Sequence, residues 1–138
     1  MTNATPDLHV KRVYDPPATS DGARVLVDRL WPRGLRKEDA ALTLWLKEIA
    51  ASTALRQWFG HDPARWAEFQ ALYREELKTK DEPLKALAAL LRQGRVTLLY
   101  GARDTAHNHA LVLASFIADA QHRRGSALSA APSTRPAR

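Results

Sequence analysis

The chain has 138 residues, which is enough for one domain with a hydrophobic core and too short for two ordinary domains. It contains no cysteine, and this excludes disulfides, thiolate metal sites and catalysis by a thiol. The formal net charge is +6, but residues 122–138 hold four arginines and no acidic residue, so the charge is a weak argument for nucleic-acid binding.

Both ends of the chain are predicted to lie outside the folded domain. Residues 1–7 lack the basic segment and apolar stretch of a signal peptide, and the longest apolar run, Ala86–Leu91, is far too short to span a membrane. Residues 122–138 are rich in Ala, Ser and Pro, a composition typical of disorder. The sequence therefore predicts a disordered N-terminus, a single domain over residues 8–121 and a disordered basic tail, in a cytoplasmic protein without membrane association.

The first half of the chain contains three candidate strands. Leu8–Tyr14 is followed by Asp-Pro-Pro and a turn-rich segment, and Val25–Val27 is a continuous apolar run of the kind that forms buried strands. A short helical turn is predicted around Arg36–Ala40. Leu42–Leu46 fits both an alternating strand and a helix, and a strand is the favoured interpretation.

The second half is predicted to contain four helices and one buried strand. Ser52, Asp62 and Asp81 are residues that favour helix N-termini, and Gly60 and Gly94 are typical of helix C-termini. The predicted segments are Ser52–Phe59, Asp62–Lys80, Asp81–Gly94, the strand Val96–Tyr100 and the helix Thr105–Gln121.

This order of segments predicts the architecture. Two buried strands that are each followed by a loop and helical segments favour parallel strands with right-handed crossovers. We therefore expect a small single-domain α/β fold, with a mostly parallel sheet of about four strands and helices packed on it. Ligands of such folds bind beyond the carboxyl ends of the strands.

The first candidate site is the corner after the strand Val25–Val27. Asp28 and Arg29 stand where the strand ends, and bringing these charges to the end of a buried strand is costly unless they find partners. Arg33 adds a third charge. Trp31 either lines a pocket at this corner or packs the loop onto the domain.

The second candidate site is the segment after the strand Val96–Tyr100. Asp104 or Thr105 is predicted to cap the last helix, whose free N–H groups and dipole would bind an anion together with Arg103. The structural alternative is that Asp104 only caps the helix. His107 is a candidate proton donor or acceptor. His107 and His109 are two residues apart and would point in different directions on a helix, so no metal site is predicted.

Two functions fit these residues. In the first, Arg29, Arg33 and Arg103 bind a small anion such as a phosphate or a carboxylate. Asp28 or Asp104 then orients an arginine or acts as a base, and His107 moves a proton. In the second, the segment Arg29–Lys37 with Trp31 binds nucleic acid or a protein partner, although Glu38 and Asp39 dilute its charge. The first is favoured, no cofactor is predicted, and catalysis is left open.

Three motifs resemble the YeaO-like family of small bacterial proteins, within domain of unknown function 488. They are Lys11–Asp15, the string VLVDRLWPRG at Val25–Gly34, and Leu98–Tyr100 followed by Asn108-His109-Ala110. The resemblance covers about residues 8–120. It implies a small α/β domain in the cytoplasm of a bacterium, and it adds Asn108 and His109 to the candidate ligand-binding residues.

Overall fold

Four parallel strands and five α-helices make up the part of the chain that the computed structural model describes, residues 7–129, with side chains described to residue 120. In chain order the elements are β1 (Leu8–Arg12), β2 (Ala23–Leu26), α1 (Lys37–Ala40), β3 (Leu44–Trp45), α2 (Thr53–Phe59), α3 (Trp66–Leu77), α4 (Asp81–Gln93), β4 (Val96–Tyr100) and α5 (His109–Ser129).

The strand order is β1-β4-β2-β3, and every neighbouring pair is parallel. This confirms the predicted α/β class and the parallel sheet. The central strand β4 is buried along its whole length and pairs with β1 on one side and with β2 on the other. Val25 lies opposite Leu98, and the N–H of Val27 donates to the carbonyl of Leu99. The segments that follow β2 and β4 therefore leave the sheet side by side.

The two faces of the sheet are covered differently. Val25 and Leu98 face a large core that contains Phe69, Tyr73 and Leu113 from the helices. On the opposite face the residues that follow β2 supply much of the cover, because Trp31, Leu35 and Trp45 pack against Leu26 and Leu99. The corner predicted as a site is therefore also part of the core, which limits how far it can move.

A buried ion pair fixes the amino end of the sheet. Arg24 donates to Asp21 and to the carbonyl oxygen of Ala40, and Lys11 approaches the same carboxylate at 3.0 Å. These partners compensate for the burial of Asp21 and Arg24. The loop between β1 and β2 is thereby held against the sheet.

Most helix ends lie where the sequence predicts them. The Ser52 hydroxyl accepts from the N–H of Leu55, and Gly60 ends α2 with a φ of 53°. The Asp62 carboxylate accepts from Ala64, but the turn it begins is a 3-10 helix, so α3 proper starts at Trp66. The ambiguous segment Leu42–Leu46 does form a strand, of two residues.

The prediction for the last helix was wrong at both ends. The helix begins at His109 rather than Thr105, because the Asn108 side chain accepts from the N–H of Leu111 and takes the capping position. It also continues to Ser129 rather than ending near Gln121, so residues 122–129 of the predicted disordered tail are helical. Residues 1–6 and 130–138, for which disorder was predicted, lie outside the described residues.

Strand β1 is also shorter than predicted, since it ends at Arg12 rather than Tyr14. Asp7, predicted to lie in the disordered N-terminus, is held against the start of β4. Its carbonyl accepts from Val96 and its carboxylate binds Arg95.

We predict that Gly22→Ala destabilises the protein more than Gly34→Ala. Both glycines have a positive φ, 68° and 75°, which costs an L-residue about 1–2 kcal/mol. A Cβ at Gly22 would in addition overlap with the backbone carbonyl of Arg95, whereas nothing lies within 4 Å of a Cβ at Gly34. Urea denaturation of the two variants measures the difference in their free energies of unfolding. Equal losses of this free energy would show that the β1–β2 loop moves away from Arg95 at no cost.

Candidate functional site

A cavity of about 300 Å³ lies at the carboxyl edge of the sheet, where both predicted sites were expected. Five residues singled out from the sequence line it: Asp28, Arg29, His107, Asn108 and His109. The segments after β2 and β4 converge there because the two strands are parallel neighbours. Helices α2 and α3 supply the opposite wall.

Asp28 joins the two segments. Its Oδ2 accepts from the N–H of Gly101 at 3.0 Å, and its Oδ1 lies 3.3 Å from Nε2 of His109 at the start of α5. A Cβ at Gly101 would stand 2.9 Å from that same Oδ2, so the close approach requires glycine. One carboxylate thus fixes the end of β2 against β4 and α5.

Burial sets the protonation of this pair. Burial raises the pKa of Asp28, although His109 and the Gly101 N–H act to lower it. Burial also lowers the pKa of His109, although the charge of Asp28 acts to raise it. The His109 Nε2 lies 2.9 Å from the carbonyl oxygen of Val27, which only accepts, so Nε2 carries the hydrogen. Because the two groups lie 3.3 Å apart, the ionisation of each depends on the charge of the other.

Arg29 and Arg56 bring positive charge to the cavity. The Nε of Arg29 is buried, and among the described side chains it is the one buried nitrogen or oxygen without a hydrogen-bond partner. Arg56 donates to the carbonyl of Ala51 and to the hydroxyl of Thr53, which holds its guanidinium in place. Sequence reasoning missed Arg56, although it lies one turn before Phe59 on α2 and so shares the inward face of that helix.

Aromatic rings form the apolar wall of the cavity. Phe59 and Phe69 stack with their centroids 4.5 Å apart, and both line the cavity. His61 also lines it and adopts a φ of 58°, a left-handed conformation that histidine enters more readily than most residues. These three residues were not predicted as site residues, since Phe59 and Phe69 follow an ordinary core pattern.

The predicted anion cradle after β4 is already filled by a side chain of the protein. The Asp104 carboxylate accepts from the N–H groups of Ala106 and His107 at 2.8 and 3.0 Å and contacts Nδ1 of His107 at 2.9 Å. These contacts lower the pKa of Asp104. Asp104 therefore shapes a turn ahead of α5, and its carboxylate occupies the donors that were expected to bind an external anion.

The three arginines expected to meet at one site do not do so. Only Arg29 lines the cavity, while Arg33 and Arg103 are exposed outside it. Of the two alternatives for Trp31, the structure shows the packing one. The centroids of the Trp31 and Trp45 rings lie 5.3 Å apart in an edge-to-face arrangement, and the Trp31 Nε1–H donates to the carbonyl of Leu35.

Among the side chains that the structure describes, residues 7–120, no three His, Asp or Glu groups lie closely enough together to hold a metal ion. No helix in that part of the chain has the length and apolar character needed to cross a membrane.

Comparisons with known proteins give a consistent result. A family model described as the inactive DUF488-N3 subclade matches residues 7–136. The uncharacterized protein YeaO of Escherichia coli (strain K12) is 48% identical over 111 residues, which cover 80% of this chain and 96% of that protein. The uncharacterized protein Rv3073c of Mycobacterium tuberculosis is 42% identical over 110 residues, covering 80% and 92%. No solved structure matches the chain significantly.

We predict that Asp28→Asn lowers the pKa of His109 further below its usual 6.5. Burial already lowers it, and the charge of Asp28 is what opposes that effect. Titration of the His109 ring protons by NMR measures the shift. Asp104→Asn is the matched control, because Asp104 contacts His107 instead, and should leave the pKa of His109 unchanged. An unchanged or higher His109 pKa in Asp28→Asn would show that the pair is not coupled.

Proposed function

This chain belongs to the inactive DUF488-N3 subclade, a family whose curated relatives are small bacterial proteins, and from that premise we propose that its cavity binds a small anionic ligand without transforming it. The ligand class is a phosphate or a carboxylate attached to an apolar group. The residues that hold the anion are Arg29 and Arg56.

One observation carries the proposal: the buried Nε of Arg29 has no hydrogen-bond partner among the residues that the structure describes. A buried N–H donor without an acceptor costs about 1–3 kcal/mol, and more when the group is charged. Arg29 also has no carboxylate within 4 Å among the described residues. An anionic oxygen in the cavity would supply the missing acceptor and the missing charge at once.

The rest of the cavity lining supports this ligand class. Arg56 contributes a second guanidinium that cannot lose its charge. Phe59 and Phe69 offer a flat apolar wall against which a ring or a short chain would pack. The volume of about 300 Å³ lies at the lower end of the range for small-molecule sites, which favours a compact ligand.

The chemistry of the lining favours binding over catalysis. Within the described part of the chain, no serine, threonine, tyrosine or lysine lines the cavity, so its nucleophiles are limited to carboxylate and imidazole. The carboxylate of Asp28 is committed to Gly101 and His109. The word "inactive" in the description of the family model agrees with a binding role.

We predict that phenyl phosphate stabilises the protein in a saturable way. A ligand at 100 times its Kd stabilises by about 2.7 kcal/mol, which thermal unfolding detects readily. Arg29→Met and Arg56→Met should each weaken binding at least about tenfold, equal to about 1.4 kcal/mol.

Arg103→Met is the matched control for these variants. It removes the same charge from an exposed position outside the cavity and should keep the stabilisation. If Arg103→Met loses as much stabilisation as Arg29→Met, the anion binds to general surface charge and the proposed site is wrong.

We predict that binding strengthens as the pH falls. The anion would lie beside Asp28, so it favours the state in which the Asp28–His109 pair has taken up a proton. Burial raises the pKa of Asp28 and lowers that of His109, so the affinity is measured over the whole range from acidic to neutral pH. Calorimetry with benzenesulfonate, whose own charge is constant over this range, measures the affinity. In Asp28→Asn the affinity should depend less on pH, while binding itself persists. A wild-type Kd that does not change with pH would refute the coupling between anion binding and protonation of the Asp28–His109 pair.

A further inference from the structure

The arginines at the two ends of the sheet differ in how they are neutralised. At the amino end, Arg24 pairs with Asp21 and Arg95 pairs with Asp7. At the carboxyl end, Arg12, Arg33 and Arg103 have no carboxylate within 4 Å in the part of the chain that the structure describes. None of these three lines the cavity, so the proposed small-anion site does not account for them.

These three arginines belong to segments that are tied together. Arg12 donates to the carbonyls of Gly101 and Ala102 at 3.3 and 2.9 Å, which joins the end of β1 to the segment that carries Arg103. Its guanidinium lies 4.9 Å from the centroid of the Tyr14 ring. The Tyr14 hydroxyl in turn donates to the carbonyl of Arg33 at 2.7 Å.

This arrangement holds one guanidinium, that of Arg12, against an exposed aromatic ring. The Tyr14 side chain is one of three large hydrophobic side chains that are exposed in the described part, at 41%. Asp104, the acidic neighbour of Arg103, is held by the N–H groups of Ala106 and His107 and by the His107 ring. Its charge is therefore partly neutralised before any ligand arrives.

We propose that this surface, defined by Arg12, Tyr14, Arg33 and Arg103, binds single-stranded nucleic acid. Guanidinium groups bind phosphates bidentately, and an exposed ring among them offers a platform on which an unpaired base stacks. Spread-out arginines outside a cavity fit an extended polyanion better than one small ion. A single strand is favoured over a duplex because stacking on Tyr14 requires a base that is not paired.

The proposal differs from the nucleic-acid surface expected from the sequence. That surface relied on Trp31, whose ring packs against Trp45. It also relied on Arg36, which lies near Glu38 and Asp39. The proposed surface shares Arg33 with the segment Arg29–Lys37 that was expected from the sequence. Its aromatic platform is Tyr14 instead of Trp31.

Fluorescence anisotropy with a labelled oligothymidylate of about 12 nucleotides tests the proposal, since site sizes for single strands run from about 4 to 16 nucleotides. The full chain is titrated at several salt concentrations. Arg33→Ala and Arg103→Ala should each reduce the slope of log K against log salt by about 0.7, the value for one lost phosphate contact on a single strand. Tyr14→Leu should weaken binding at every salt concentration with little change of slope.

Arg92→Ala is the charge-matched control. Arg92 is exposed in the last turn of α4, and no carboxylate lies within 4 Å of it among the described residues. If Arg92→Ala weakens binding as much as Arg103→Ala, long-range charge and not this surface attracts the oligonucleotide, and the proposal falls. It also falls if the wild type shows no saturable binding, or if phosphatidylserine vesicles bind the surface and the oligonucleotide does not.

The phenyl phosphate response separates this proposal from the small-anion site. Arg33→Ala and Arg103→Ala should bind phenyl phosphate as the wild type does, because neither residue lines the cavity. If these variants lose both oligonucleotide binding and phenyl phosphate binding, the two proposed sites are one site.

Discussion

The Asp28 carboxylate is the contact on which the carboxyl edge of this domain depends. It accepts from the backbone of Gly101 and lies against the ring of His109, so it joins the end of β2, the end of β4 and the start of α5. A carboxylate in such a place is costly, and burial raises its pKa accordingly. The cost is offset only while both partners remain in place. Glycine at 101 follows from the same constraint, since a side chain there would displace the carboxylate.

This contact also explains why the cavity exists where it does. Because Asp28 fixes the β2 corner to the β4 segment, Arg29 is placed beside the aromatic wall of α2 and α3. The corner cannot relax toward solvent, since Trp31 is packed against Trp45 on the other face of the sheet. The buried Nε of Arg29 lacks a hydrogen-bond partner among the described residues, and unsatisfied buried groups of this kind persist only where the surrounding fold holds them in place.

The β4–α5 segment separates two electrostatic environments. On the cavity side, His107, Asn108 and His109 are held in hydrogen bonds with neighbouring groups of the protein. Outside the cavity, Gly101 and Ala102 offer their carbonyls to Arg12, and Arg103 stands exposed. We have proposed a binding role both for the cavity and for the surface outside it. The two proposed ligands, a small anion and a single strand, then occupy different surfaces of one edge.

The sequence by itself determined the elements whose signals are local. The apolar runs of β2 and β4, the caps Ser52 and Asp62 and the parallel α/β class were all predictable, because they depend on residues close together in the chain. That Asp28 and the segment after β4 lie at the same edge also followed, since the parallel strands of one sheet end at the same edge; that β2 and β4 are neighbours did not.

Only the tertiary structure decided which charges share a cavity. Arg29, Arg33 and Arg103 are alike in sequence, yet packing of the corner places one inside and two outside. Arg56 enters the site because α2 packs opposite β2, a contact between distant parts of the chain that no local pattern encodes. Asp104 or Thr105 was expected to cap α5, and the hydrogen bond that Asn108 accepts from Leu111 shows that the cap is Asn108 instead. The class of an element can be read from its local pattern, whereas the direction in which a loop side chain points depends on the whole fold.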